Sequence, residues 1–540
     1  MEEINTGTAT CVFGNLLAAQ LIRVSTRTSG IRSVTLPGLL SLLIADEVDS
    51  LPALRPHQRY PLHCFLAQVA AMAMLAAGES VPPRDESRWR DLLRELTPQF
   101  PDDEPWTLVV NDLSKPAFLQ PPVPEGAWEV LKEIEPTPDA LDMLVTSKNH
   151  DLKAARLKIA TPEHWLFALI TLQTWEGFLG RGNYGISRMN GGFASRPFIG
   201  AAPATGGWGA HVTRDILRLV DNRTEITAGD TLHRMKDGRR LLWLEPWDGR
   251  EAYDPRQLDS YYVEVCRRIR LRSKGDRIVA HRGSSSTARI NQPKGKHQGK
   301  DFTLPTGDPW TPVERDSGKP LTLDGSGFHY RRVVNLLDVE KFNPAPLQLL
   351  FDTDQKGAAQ IVFAAIVRGQ GETQGYHERR VQIPERLKPA FMRKSVSVDM
   401  ARVARDRVSD VATTVSKALR PALFALYQAA PEKLDFGDPK AKGKAEIFVA
   451  QFERSVDEHF FEHLFEEVAE PIGSEAAKAS RKFWIEEFIW PRAHDALAAA
   501  EAGSPLSGVR RYRARAAARG LLDGAIVNLF PDLLKRKSAA

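Results

Sequence analysis

Apolar residues return every three to four positions along the last third of the chain. Val408, Val411, Val415, Leu419, Leu423 and Leu426 share one helical face. Phe452, Val456, Phe460, Leu464 and Val468 share another. Two further helices are expected over roughly 475–500 and 505–525, with Pro431–Gly443 and Gly503-Ser504-Pro505 as connectors. A period near 3.6 suits a helix that buries one stripe. Four such segments of similar length predict an antiparallel four-helix bundle.

The chain before residue 390 is patterned differently. Leu21-Ile22-Arg23-Val24 predicts a short strand, and Leu36 to Ala45 a helix. Pro61 to Ala77 predicts a second helix, with Leu66, Val69, Ala70 and Ala73 at helical spacing. Thr161-Pro162-Glu163 reads as a helix start, with Thr161 as N-cap and Pro162 in the first turn. That helix runs through Trp165, Leu169 and Leu172 and breaks at Gly177. Ile361 to Val367 is a buried strand, followed by a glycine-flanked turn, Gly369 to Gly375. Residues 101–125 are proline-rich and extended, and 230–370 mix short strands with loops. The fold class expected is α+β: a large mixed N-terminal domain with irregular loops over 1–390, then the C-terminal bundle over 391–540.

Composition narrows the class. A 540-residue chain with 42% hydrophobic and 26% charged residues is an ordinary globular protein with several cores. No run of 18 apolar residues predicts a membrane span. Met1-Glu2-Glu3 lacks the basic start of a signal peptide. Cys11, Cys64 and Cys266 are far apart and form no CxxC pair, which argues against a disulfide framework and a structural zinc site. A cytoplasmic setting is expected, with no cofactor and no resident metal.

Charge changes the picture locally. The chain carries 73 basic and 68 acidic residues, yet eleven of the basic ones fall between Arg267 and Lys300, beside one acid, Asp276. Arg267, Arg268 and Arg270 open this stretch, and Ser284-Ser285-Ser286, Gly295 and Gly299 loosen it. It reads as a mobile basic loop that meets phosphate without regard to sequence. Arg511, Arg515 and Arg519 repeat every four residues on the last helix and form a second stripe for an anion.

Three motifs admit specific chemistry. His459-Phe460-Phe461-Glu462-His463 has the H-x-x-E-H spacing of a zinc hydrolase. No ligand motif follows among the later acids, and Phe460 belongs to the apolar stripe, so a histidine pair at the helix boundary is the plainer reading. Lys148-Asn149-His150-Asp151 carries nuclease-like residue types without a second cluster, and its basic flank, Lys153 included, suits phosphate contact. Gly180-Arg181-Gly182-Asn183-Tyr184-Gly185 lacks the G-K-[ST] ending of a phosphate loop and follows a helix rather than a strand. Its glycines permit close backbone approach to DNA, but on glycine content alone a plain turn is the favoured reading.

Taken in order, these segments resemble one family: CasA, the large subunit of the type I-E CRISPR Cascade complex. Phe13-Gly14-Asn15-Leu16-Leu17 and the strand after it look like the family's opening. Ser50-Leu51-Pro52-Ala53-Leu54-Arg55-Pro56-His57-Gln58-Arg59 and Lys115-Pro116-Ala117-Phe118-Leu119-Gln120 are similar to two of its segments. Thr146 to Lys153, the glycine loop, Glu378-Arg379-Arg380 and the helical end follow in the family's order.

The resemblance implies a binding protein rather than an enzyme. It implies recognition of a short motif beside the target in double-stranded DNA through the minor groove. Opening of the duplex for R-loop formation and support for a recruited helicase-nuclease would follow. Its partners would be target DNA, the 5′ handle of the guide RNA, and the backbone, small and guide-end subunits of the complex. The motif-binding residues implied are Gly180, Arg181, Gly182, Asn183 and Tyr184, with Lys300 or Lys296 as the family's lysine. Gln374 matches the duplex wedge. Lys148, Asn149, His150 and Lys153 match the loop that reaches the guide handle. Some members have a run of glycines where this chain has Arg181 and Asn183. Asn183 offers a donor and an acceptor to base edges, and Arg181 suits a narrow groove. Two readings stand beside this one: a zinc-dependent hydrolase on His459, Glu462 and His463, and a nucleic-acid-binding scaffold without motif recognition.

Overall fold

The helix Arg59–Ala77 organises the first part of the chain, and every residue from Tyr60 to Met74 is buried. A helix apolar on all sides must be enclosed. The helices Glu86–Glu95, Pro162–Trp175 and Trp208–Asp221 pack around it. By length and composition alone this segment would pass for a membrane span; here neighbouring helices cover it. It ends at Gly78, whose φ of 72° closes the helix in the left-handed region.

The computed structural model describes residues 14–133, 137–145, 157, 160–188, 195–228, 232–291, 294–297, 300–303, 307–354, 357–369, 372–392, 398–503 and 508–534. For 294–297 and 300–303 the description is of the backbone. The chain divides into two compact units, residues 1–328 with 341–383, and residues 329–340 with 384–540. The expected single boundary at 390 misses the excursion at 329–340. There the helix Tyr330–Leu337 packs on two helices of the second unit, and the Tyr330 ring lies 4.6 Å from that of Phe460.

In the first unit, Ile22–Thr26 pairs with Gly30–Val34 and Val48–Ser50. A second antiparallel sheet has Ala359–Gly369 at its centre, flanked by Phe198–Pro203 and Glu372–Ile383. Its central strand is buried from Ala359 to Val367 and covered on both faces, which is why the sequence there is continuously apolar.

Many polar side chains inside this core are paired, though His211 Nε2 has no hydrogen-bond partner. Gln68 donates to the carbonyls of Tyr261 and Tyr262 at 3.0 Å each. His63, His211 and Asp215 bring their ligand atoms within 4.8 Å of one another, a spacing compatible with a metal. The hydrogen bonds argue otherwise. Trp208 Nε1 donates to His63 Nδ1 at 3.1 Å, so the His63 proton sits on Nε2, 2.9 Å from Asp215. Asp215 also accepts from Trp310 and Arg214, both at 2.9 Å. This is a packed polar network in which His63 has no lone pair to give.

The second unit is helical, as expected. Val398–Thr414 and Arg420–Tyr427 run on as one rod through a π turn at Val415–Leu419. Glu475–Phe483 and Trp490–Ala502 do the same through Trp484–Ile489. Each π turn is followed one residue into the next helix by a proline, Pro421 or Pro491. Proline lacks the N–H and crowds the carbonyl four residues back, so the wider turn accommodates it without a break. Pro439–Val468 and Gly508–Leu529 complete the set of long helices, which pack on one another.

The described residues of the basic stretch 267–300 lie largely in strands rather than in a loop. Arg268–Lys274 and Arg277–Gly283 form an antiparallel hairpin, and Lys294–His297 pairs with Lys300–Thr303 in a second one. Arg267, Arg268 and Arg270 are 2%, 7% and 0% exposed, so they do not form the expected DNA-facing surface. Arg270 donates to the carbonyls of Val110 and Asp112 at 2.9 Å and of Lys115 at 3.0 Å. Arg268 donates to Ser284 O at 3.1 Å. These side chains terminate backbone carbonyls that irregular loops leave unpaired, which is why the arginines turn inward.

Candidate nucleic-acid interface

The glycine loop follows the helix Pro162–Trp175. Its neck is closed by Ile186 N–H donating to Glu176 O at 3.1 Å. Gly185 is required there, because a Cβ would collide with the Gly177 carbonyl carbon. Across the tip, Asn183 N–H donates to Gly180 O at 3.0 Å. Gly182, at the third position of that turn, has φ 84°, the value a type II turn demands. Arg181 therefore stands at the exposed apex. The loop rests on Ser284 to Ser286: Ser285 N–H donates to Gly182 O at 3.1 Å. A groove of about 800 Å³ opens beside it, lined among others by Arg181, Arg250, Arg268 and the three serines.

Asn183 is less free than its sequence suggests. Its Oδ1 accepts from Arg282 Nη2 at 2.6 Å. Since Arg282 only donates, the amide is oriented with its NH2 outward. The expectation that Asn183 offers both donor and acceptor is corrected accordingly.

Gln374 lies near the end of the hairpin Ala359–Gly369/Glu372–Ile383. Val367 faces Gly375 and Arg368 faces Thr373, so Gln374 is the extra residue of a β-bulge and is exposed. A bulge re-aims a side chain out of the pleat alternation. Its carbonyl accepts from His377 Nε2 at 2.9 Å. Lower on the strand, Glu378 accepts from Tyr376 at 2.7 Å, Arg380 at 3.0 Å and Tyr60 at 3.1 Å, which fastens the hairpin to the central helix.

Lys148, Asn149, His150 and Lys153 lie outside the described residues, as do the side chains of Lys296 and Lys300. The stem of the 146–156 segment is described. Arg55 pairs with Asp139 and Asp142. Leu157 N–H donates to Asp139 at 3.1 Å and Leu144 N–H to Asp142 at 2.8 Å, so one arginine holds both ends. Burial alone would raise the Asp142 pKa, but His57 at 3.1 Å and Arg55 outweigh it and hold the carboxyl well below its usual range. A depressed folded pKa contributes stability that is complete above the unfolded value, about 4, and is lost as pH falls below it. Acid titration of thermal stability is expected to show this loss below about pH 4, and Asp142→Asn to flatten it.

Arg515 and Arg519 converge on buried Glu501. Arg519 pairs with its carboxylate at 2.6 Å, and Arg515 donates to its carbonyl at 3.2 Å. Arg511 and Arg515 are half-buried and Arg519 is exposed, so the stripe is at the surface but partly neutralised from within.

The structure does not gather the residues of the hydrolase reading into a metal site. His459 Nδ1 pairs with Glu462 at 2.9 Å, while His463 Nδ1 lies 3.5 Å from Glu466. The His463 ring packs 4.2 Å from Phe488. Each histidine faces its own acid, and among the described residues the ligand atoms of His459, Glu462 and His463 do not gather as those of His63, His211 and Asp215 do.

Sequence reasoning missed Glu176, Arg282 and Arg368, which support the loop and the hairpin from below. A lone acid between Trp175 and Gly177 was the one local signal.

A family model described as CRISPR-associated protein Cse1 matches residues 15–488. Solved structures of Cse1 from Thermobifida fusca (15% identity, TM-score 0.62, 97% of this chain and 99% of that one), CasA from Thermus thermophilus (15%, 0.59, 96% and 100%) and Cse1 from Acidimicrobium ferrooxidans (14%, 0.58, 97% and 99%) share the fold. No curated protein matches the chain.

Proposed function

The chain belongs to the CRISPR-associated Cse1 family, and from that premise we propose that it reads the motif beside the target in double-stranded DNA for an RNA-guided Cascade complex, then wedges the duplex open. The observation that carries this reading is Gln374, an exposed side chain set on a bulge near the end of a firmly rooted hairpin. A side chain that must enter a base stack needs such rigid support, because unstacking costs a few kcal/mol per step. The glycine loop supplies the groove reader. Arg181 leads, and the outward NH2 of Asn183 suits the acceptors that every base pair shows in the minor groove. A reader of this kind tolerates several motif sequences, since that groove separates A·T from G·C and little else.

Phosphate contact falls to the groove beside the loop, where Arg250 is exposed, and to the Arg511, Arg515 and Arg519 stripe. The segment around Lys148, Asn149, His150 and Lys153, held at its stem by Arg55, contacts the guide 5′ handle and neighbouring subunits. Recruitment of the helicase-nuclease follows opening. The activity proposed is binding, without bond cleavage by this chain.

The test is binding of the assembled complex to duplexes randomised only beside the target. Enrichment of a limited motif set is expected; flat enrichment would leave a motif-independent scaffold. In the same assay, Lys300→Ala is expected to weaken motif-dependent binding by about tenfold, the loss typical of one specific groove contact. An equal loss on all duplexes would reassign Lys300 to phosphate.

A further inference from the structure

Glu176 is buried directly between the helix Pro162–Trp175 and the glycine loop. Its Oε1 accepts from Arg368 Nη1, and its Oε2 lies 3.1 Å from Arg267 Nη2. Each arginine continues to a different functional element. Arg267 donates to the carbonyls of Tyr184 and, at 2.7 Å, Gly177, and so grips both ends of the loop. Arg368 stands opposite Thr373, one pair from the bulge that carries Gln374. Its other Nη reaches Val145 O at 3.4 Å, at the start of the guide-handle segment. The Glu176 Oε2 contact is close but not aligned as a hydrogen bond, so charge holds it. A buried charge is costly unless paired, and this one carboxylate balances two guanidiniums.

We infer that Glu176 is a positioning residue that holds the glycine loop and the Gln374 hairpin in one register, so that a loop seated on its motif delivers the glutamine to the adjacent base step. The inference rests on the proposed reading of those two elements. Its physical content is distance: a wedge displaced by about 1 Å from its productive position loses roughly a hundredfold in rate. Without the carboxylate, Arg267 and Arg368 repel each other, and the end of the hairpin is released from the loop.

The experiment uses the full chain in its assembled guide complex and a target labelled with 2-aminopurine beside the motif. Arg368→Met cuts the link on the hairpin side and leaves Glu176 paired with Arg267. Glu176→Gln keeps the shape and removes the charge. In Arg368→Met, motif-dependent binding is expected to stay within about twofold of wild type and opening to slow by about tenfold, a fraction of the full misplacement penalty; Glu176→Gln is expected to slow opening likewise. Neither substitution should slow opening further in a complex that already carries Gln374→Ala, and Arg368→Lys should recover part of the rate. Unchanged opening in Arg368→Met overturns the inference. So does further slowing on top of Gln374→Ala, or parallel loss of binding, opening and melting temperature, which marks ordinary core support. If the wild-type complex itself ignores the motif, the reading of the loop falls and the inference with it, so the two failures are distinct.

Discussion

Replacing Gln374 with alanine is expected to slow target opening by at least about tenfold while leaving the first encounter with a motif-bearing duplex nearly intact, because a wedge acts on a base step that costs a few kcal/mol to unstack. The side chain is exposed on its bulge, and the backbone holding it is set by His377, Gly375 and the Glu378 cluster rather than by the glutamine amide. Truncation therefore removes the wedge without loosening the hairpin. Stopped-flow fluorescence of a 2-aminopurine target gives the opening rate, and equilibrium binding of a motif duplex gives the encounter. Opening at the wild-type rate would sink the assignment of Gln374.

Arg267→Ala is expected to be a stability mutation, not a DNA-binding one. Removing one partner of a buried ion pair typically costs about 3–5 kcal/mol, since the other charge stays behind unpaired. Here the charge left is Glu176, and the carbonyls of Gly177 and Tyr184 lose their donor as well. Denaturant titration of the full chain should show the loss as a lower midpoint. The exposed Arg513, on the helix Gly508–Leu529, is the contrast: Arg513→Ala should leave the midpoint almost where it was. Salt dependence of DNA binding separates the two further. Removing one cation from a phosphate lowers the slope of log K against log salt by about 0.9. A wild-type midpoint with a shallower slope for Arg267→Ala would return that arginine to the surface.

Periodicity carried much of the architecture. The apolar stripes from Val408 to Leu426 and from Phe452 to Val468 lie on observed helices, and Thr161-Pro162 does open one. Pro421 and Pro491 did not end their helices, because a π turn absorbs a proline at less cost than unpacking a buried stripe. The helix Tyr330–Leu337 escaped notice because eight residues show barely two turns of pattern. Gln374 as a candidate wedge was legible only through family order. Its bulge depends on a one-residue offset between two strands, and no single strand encodes that.

The stretch 267–300 divides what each level determines. Local sequence determined which residues are charged and where the longer C-terminal helices run, because those depend on a residue and its near neighbours. Whether a charge faces water or the core depends on what the rest of the chain leaves unsatisfied. Carbonyls of irregular loops at 110–115 and 177–184 needed donors, and Arg267 and Arg270 supplied them from far along the sequence. That choice, like the placement of Glu176 between loop and hairpin, belongs to the tertiary structure alone, since hydrogen-bond demand inside a fold exists only once the fold has formed.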